Sequence, residues 1–143
     1  MSVDFSAEFQ KLVVLTLRGD PGVSAIIADR VETSQPASAR FPYISIGASD
    51  TLPDDAACID AQIETLQLDC WSRQQGNNIE CKRLVSAVKR ALHWAGDGGG
   101  IMAPANVDFL YVNSIRVLED PDGITGHGIV SVQARLWEDI KLG

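Results

Sequence analysis

Apolar and polar residues follow two successive patterns between Gln62 and Trp94, and the rest of the chain can be organised around them. From Thr65 to Cys70 they alternate, which predicts a strand with one apolar face. A turn is predicted at 76–78, and apolar residues then recur every three or four positions, as on one side of a helix. The apolar faces of this strand and helix can bury each other, which forms half of a domain core. The helical stripe is Cys81, Leu84, Val85, Val88, Ala91, Leu92 and Ala95, and the opposite face is Glu80, Lys82, Arg83, Lys89 and Arg90.

The same patterns predict the remaining elements. A long helix over Asp4–Arg18 has an apolar side and is capped by Ser6 or Asp4. A short helical turn is predicted next, at Val23–Ala28, and a loop follows whose first residues, Arg30–Glu32, can form an edge strand. Further strands are predicted over Phe41–Gly47, Val107–Leu118 and Ile129–Trp137, and the last two show clear alternation. In the first alternating strand, one side is expected to carry Phe109, Tyr111, Asn113, Ile115 and Val117. The sheet should have one solvent-exposed side, and residues 1–143 should form a single α+β domain with two hairpins, 43–71 and 108–137, and two main helices.

The segment Ala48–Ala61 is longer than a connection between paired strands needs. Hairpin loops usually have about two to five residues, whereas this segment has 14. It contains four aspartates, and Leu52 and Ile59 are its larger apolar residues. Two interpretations remain open: a solvated extension without a role, or a docking arm that becomes ordered when it binds a partner.

Composition and charge exclude several classes of function. The chain carries a net charge of −7 with a sequence pI near 4.6, so it should not bind nucleic acid tightly, although it could line a passage through which DNA slides. No apolar run approaches the roughly 20 residues that span a bilayer, and no signal peptide is evident, so we expect folding in the cytoplasm and no membrane partner. Three cysteines at long spacings fit neither a disulfide framework nor a zinc site.

Neither histidine belongs to a recognisable catalytic pattern. His93 is predicted to end the central helix, where a cation suits the helix dipole. His127 is expected in a hairpin turn between two glycines, without a nucleophile or an orienting acid near it in sequence. Asp120, Asp122 and Gly123 lack the further acids of a calcium loop and are better explained as a turn. We therefore predict no catalytic residue, no metal site and no cofactor.

Several short motifs, taken in order, resemble the tail-completion or tail-terminator family of siphovirus-like phages and bacterial gene transfer agents. The most specific are Phe41-Pro42-Tyr43, Trp71-Ser72-Arg73 and Asp120-Pro121-Asp122-Gly123 followed by His127-Gly128. Each motif alone is weak, and their order and spacing over residues 5–138 carry the resemblance. The acidic segment and the glycines at 98–100 look particular to this chain.

The resemblance implies a structural protein with a four-stranded, mainly antiparallel sheet and two main helices packed on one face. Such a protein would form a hexameric ring on the tail tube, end tube polymerisation and join the tail to the head through a head-closure or other neck protein. DNA would cross the ring without specific binding. The chain would assemble in the bacterial cytoplasm and then occupy the neck of the particle.

Candidate interface residues follow from the acidic segment and from the polar side of the second hairpin. They are Asp50, Leu52, Asp54, Asp55, Ile59, Arg116, Gln133 and Arg135. Two alternatives remain open: a head-closure (stopper) or other neck protein, and a small cytosolic enzyme or binding module. The position of the protein in purified particles separates these functions.

Overall fold

The computed structural model describes residues 4–33, 40–73, 77–93 and 106–140 of the chain. These residues form three helices and five strands. In chain order they are α1 (Phe5–Gly19), α2 (Pro21–Ile27), β1 (Val31–Glu32), β2 (Tyr43–Pro53), β3 (Ile59–Arg73), α3 (Ile79–Leu92), β4 (Asn106–Glu119) and β5 (Thr125–Asp139). No described helix combines the length and apolar character needed to cross a bilayer. The predictions for Gly76, Trp94, Ala95 and the glycines at 98–100 lie outside the described residues.

The strands form one mixed sheet in the order β1-β2-β3-β5-β4. The predicted four-stranded sheet is therefore wrong by one strand, and the sheet is not wholly antiparallel. β1 pairs in parallel with β2 through Val31 and Glu32, because the chain turns back through α2 before it enters the sheet edge. All other pairs are antiparallel. The short helix α2 confirms the predicted helical turn, and the Asp20 side chain caps it by accepting a hydrogen bond from the Val23 amide at 3.0 Å.

The predicted loop over Ala48–Ala61 is wrong for most of its length. β2 continues to Pro53 and β3 begins at Ile59, so that only 54–58 connect them. The cause is β5, which runs to Asp139 and supplies β3 with a partner along its whole length. Backbone pairing therefore extends through polar residues that a sequence pattern assigns to a loop. We call residues 48–61 the arm.

The helices and one face of the sheet enclose the core. The predicted stripe of α3 is buried from Cys81 to Leu92, and Leu66, Leu68 and Cys70 of β3 face it, as predicted. The apolar side of α1 is also buried, but Ser6 does not cap that helix. Its hydroxyl instead donates to the Glu64 carboxylate at 2.6 Å, and Gln62 and Thr51 also donate to that carboxylate, which is only 1% exposed.

The predicted faces of β4 are wrong because two irregularities interrupt its pairing with β5. They lie between Val107 and Phe109 and between Val112 and Ser114. Each inserts a residue and shifts the alternation by one position. Leu110 and Val112 face the core, whereas Phe109 and Tyr111 lie on the other face. After the second irregularity, Ile115 and Val117 face the core again. The core-facing residues of β4 are Val107, Leu110, Val112, Ile115 and Val117.

Helix α3 lies unusually close to β5 at Gly128. A Cβ atom at this glycine would be 2.4 Å from the Val85 Cγ1 atom, so no other residue fits without displacement. The Cys81 thiol lies against the same strand and donates to the Cys70 carbonyl at 3.9 Å. His127 lies in β5 and not in the predicted turn. The glycines on either side of it leave room for α3 and do not form a turn.

We predict that Leu84→Ala destabilises the protein by about 2–5 kcal/mol, because Leu84 is 0% exposed and its truncation leaves a cavity. Lys82→Ala, on the exposed side of α3, is the matched control and should change the free energy of unfolding by less than about 0.5 kcal/mol. Denaturant unfolding followed by circular dichroism measures both. Equal midpoints for the two variants would contradict this packing.

Candidate functional site

The sheet face opposite the helices is the candidate interface. No described helix packs on it, and its side chains are partly exposed. We call it the outer face. It carries Ser131, Gln133 and Arg135, as predicted, together with apolar and aromatic residues. At the end nearest the arm it presents Leu52, Ile63, Phe109, Tyr111, Gln133, Arg135 and Trp137. A face of this composition is typical of surfaces that bind other proteins.

Arg135 connects the arm to the outer face. Its Nε atom donates to the Asp54 carboxylate at 2.7 Å, and its Nη1 atom donates to the Asp108 carboxylate on β4. The Trp137 indole also donates to Asp108, at 2.7 Å. The hydrogen bond that Arg135 donates to Asp54, followed by the one that it donates to Asp108, raises the pKa of Arg135 above its ordinary value. The guanidinium is thus fixed in place and holds two carboxylates of different elements together.

The tip of the arm is a closed hairpin. The Asp54 amide donates to the Ala61 carbonyl at 2.9 Å, and Ala56 and Ile59 pair across a turn in which Cys58 has a φ of 63°. Asp55 accepts a hydrogen bond from the Ala61 amide at 2.9 Å. Ile59 is half-buried, and Leu52 is 58% exposed on the outer face. Of the two larger apolar residues of the arm, Leu52 is thus the more available for contact.

The structure brings most of the predicted interface residues together but separates one. Gln133 accepts from the Tyr111 hydroxyl and donates to the Thr65 hydroxyl, and Thr65 pairs with Asp50. These residues adjoin Leu52, Asp54 and Arg135. Arg116 lies on the same face but pairs with Ile129, six residues from Arg135 along β5, which is about 20 Å. It therefore belongs to another part of the surface.

Sequence reasoning missed a concentration of negative charge at the end of the arm. Asp60 and Glu138 are directly opposite on β3 and β5, and Asp55 and Asp139 lie beside them. We call these four residues the acidic corner. Burial, followed by the charges of Asp55 and Glu138, raises the pKa of Asp60 above its ordinary value of 3.8. No local sequence pattern indicated this cluster, because Asp60 and Glu138 are 78 positions apart and meet only through β3–β5 pairing.

The three motifs on which the family resemblance depends meet at the other end of the sheet. The Trp71 and His127 rings stack with centroids 3.9 Å apart, and Tyr43 stacks on Trp71 at 6.4 Å. The Arg73 guanidinium lies 4.3 Å from the Phe41 ring centroid and donates to Thr125, whose hydroxyl donates to Asp122 at 2.6 Å. Sequence order alone did not show that these motifs form one cluster.

The contacts of His127 in this cluster are structural. Its Nε2 atom is 2.7 Å from the Asp69 carboxylate, and its ring lies against Trp71. His93 ends α3 as predicted, but its Nδ1 atom accepts a hydrogen bond from the Val112 amide at 3.1 Å, a role of the uncharged ring and not of the predicted cation. In the described ranges, no group of three or more His, Cys, Asp or Glu residues is arranged to hold a metal ion.

Comparison with protein families found a match over most of the chain. A family model described as tail completion protein gp17 matches residues 11–136. No curated protein matches the chain.

Two solved structures show the same fold. A chain in the virion of a native gene transfer agent particle superposes with a TM-score of 0.81 at 16% identity, over 96% of this chain and 100% of that chain. The gp17 protein of bacteriophage SPP1 superposes with a TM-score of 0.51 at 19% identity, over 97% of this chain and 94% of that one.

We predict that Asp60→Asn raises the thermal unfolding midpoint at pH 7. The raised pKa means that ionised Asp60 destabilises the folded chain above its folded-state pKa, whereas the protonated group below pH 3.8 does not. The gain should therefore vanish as the pH falls below 3.8. Asp29→Asn, at an exposed position between α2 and β1, is the control. A gain that persists at pH 3 would show that charge is not its cause.

Proposed function

We propose, because this chain belongs to the tail completion protein gp17 family, that it forms a ring on the end of a phage or phage-like tail tube. The ring would end tube polymerisation and join the tail to the head through a neck protein. Family membership itself makes the chain a tail completion protein, which points to a structural role and not to an enzyme.

The observation that best supports this proposal is the outer face with its arm. The described helices cover only one side of the sheet, and the opposite side presents an aromatic surface that Arg135 and Asp108 organise. An arrangement of fixed charges and partly exposed rings suits binding of another protein surface. The arm extends this surface beyond the core, so that it is available to a tube subunit or a ring neighbour.

A closed ring requires two different patches on each subunit that meet head to tail. The sheet offers two unlike edges for such contacts. β4 is an edge strand along its whole length, and β2 is paired with β1 only at Ile44 and Ser45. The net charge of −7 suits a ring through which DNA passes without specific binding. We propose that the chain folds in the bacterial cytoplasm and then takes its place in the neck.

The position and copy number in particles test this function. We expect electron cryo-microscopy of purified particles to show six copies at one level, between the last tube ring and the neck. Twelve copies, or density on the head side of the neck alone, would favour a head-closure protein and contradict the proposal. Absence of the chain from particles would favour a free enzyme or binding module.

The arm provides a second test. Replacement of residues 54–61 by Asn-Gly joins Pro53 to Gln62 through a two-residue hairpin turn. Of the replaced residues only Ala61 is buried, and it lies outside the core cluster. We expect a folded protein but tails of uncontrolled length or heads without tails. Ile124→Ser, in the exposed turn at the other end of the sheet, is the matched control. Normal particles from the arm replacement would show that the arm is only a solvated extension.

A further inference from the structure

The outward side of α3 is a basic surface on an acidic protein. Lys82, Arg83, Lys89 and Arg90 are four of the 12 Lys and Arg residues of the chain, and all four are exposed. None forms an ion pair with a carboxylate among the described residues. Their charge is therefore concentrated on one helix, which contains a single acidic residue, Glu80.

The same side of α3 has a groove with an apolar floor. The groove has a volume of about 490 Å³, lies between α2 and α3, and is lined by Ile26, Ile79, Lys82, Arg83, Ser86 and Arg90. It continues past Ser86 and Arg90 to Lys89 and His93. We call it the basic groove. Ile79 is 49% exposed, which leaves apolar surface open between the charged side chains.

The end of the arm is acidic and has a small apolar tip, so it complements the basic groove. The acidic corner carries Asp55, Asp60, Glu138 and Asp139, and exposed Ala56 and Ala57 form the tip. Asp60 and Glu138 face each other directly, and like charges in this position destabilise a strand pair. Cations of a partner would be attracted to this concentration of carboxylates. The tip is also already folded, which lowers the entropy lost on binding.

The basic groove and the acidic corner of one subunit are too far apart to meet. α3 ends at His93, which bonds to Val112, and Val112 pairs with Val132 of β5. Asp139 lies seven residues further along β5, at a distance of about 24 Å. The two patches therefore satisfy the condition for a head-to-tail contact, in which different surfaces of identical subunits meet.

We propose that the arm tip of one copy of this chain inserts into the basic groove of a second copy. This inference rests on the proposed ring and names the contact that closes it. The apolar tip would cover Ile79 and Ile26, while the acidic corner would lie against the arginines and lysines of α3. Such a contact is electrostatically specific, since two tips or two grooves would repel each other.

Disulfide trapping tests the contact, because the tip carries an exposed native thiol, Cys58. In Ser86→Cys particles, oxidation with copper phenanthroline should link Cys58 of one copy to the new thiol of the next. Burial raises the pKa of the Cys70 thiol well above its ordinary value and that of Cys81 to about 11, so neither competes. A non-reducing gel should show a ladder of linked subunits ending at the closed ring.

Two controls define the expected result. Lys11→Cys places an exposed thiol on α1 and should give no ladder, and adding Cys58→Ser to Ser86→Cys should abolish it. Particles that contain the ring but give no Ser86→Cys ladder would overturn the contact and leave the proposed function intact. Particles without the chain would overturn the proposed function itself.

A charge exchange provides an independent readout. Asp60→Lys with Glu138→Lys should reduce ring assembly at least tenfold, as should Arg83→Glu with Arg90→Glu, and the four changes together should restore it. Failure of the combined variant, although it folds, would overturn the contact. Duplex DNA binding by the wild-type chain that Arg83→Glu with Arg90→Glu abolishes would assign the basic groove to DNA and also overturn it.

Discussion

The close approach of α3 to β5 is the contact on which the rest of the structure depends. Gly128 permits it, because any Cβ atom there would overlap the Val85 side chain. With the helix this close, the stripe from Cys81 to Leu92 closes over β3 and β5 and excludes water from the centre of the sheet. α1 and α2 then pack around α3 on the same side. Gly128 therefore lets the helices cover one face of the sheet closely, whereas no described helix covers the opposite face.

Because the two faces of the sheet differ, the subunit has both a stable core and an exposed surface that can bind other proteins. The covered face holds the stable core, and the outer face leaves Phe109, Tyr111 and Trp137 partly exposed. The side of α3 that faces away from the sheet must be polar, and here it is basic. The arm, beyond the reach of the helices, is acidic. A single packing arrangement thus places a basic helix surface and an acidic arm on different parts of one subunit, and the proposed head-to-tail ring requires two unlike patches.

Different side-chain interactions stabilise the two ends of the sheet. One end contains the motifs that resemble the tail-completion family, and they are joined by ring stacking, by the His127–Asp69 pair and by the contacts of Arg73. These contacts stabilise the fold, so the motifs identify the family through its architecture. The other end contains the acidic arm. Backbone pairing of β2 with β3 closes it into a hairpin, and Arg135 ties Asp54 to Asp108.

The sequence by itself determined the elements whose burial has a period. The stripe of α3, the alternation of Leu66, Leu68 and Cys70, and the apolar side of α1 all follow from local spacing, because each element must bury one face. The family also followed from the sequence. The edge strand considered at Arg30–Glu32 is present as β1. Only the tertiary structure decided the length of the arm, the parallel pairing of β1 and the phase of β4, because each depends on a partner strand elsewhere in the sequence. The acidic corner and the motif cluster depend on the same long-range pairing, and no local pattern encodes which distant charges or rings will lie opposite one another.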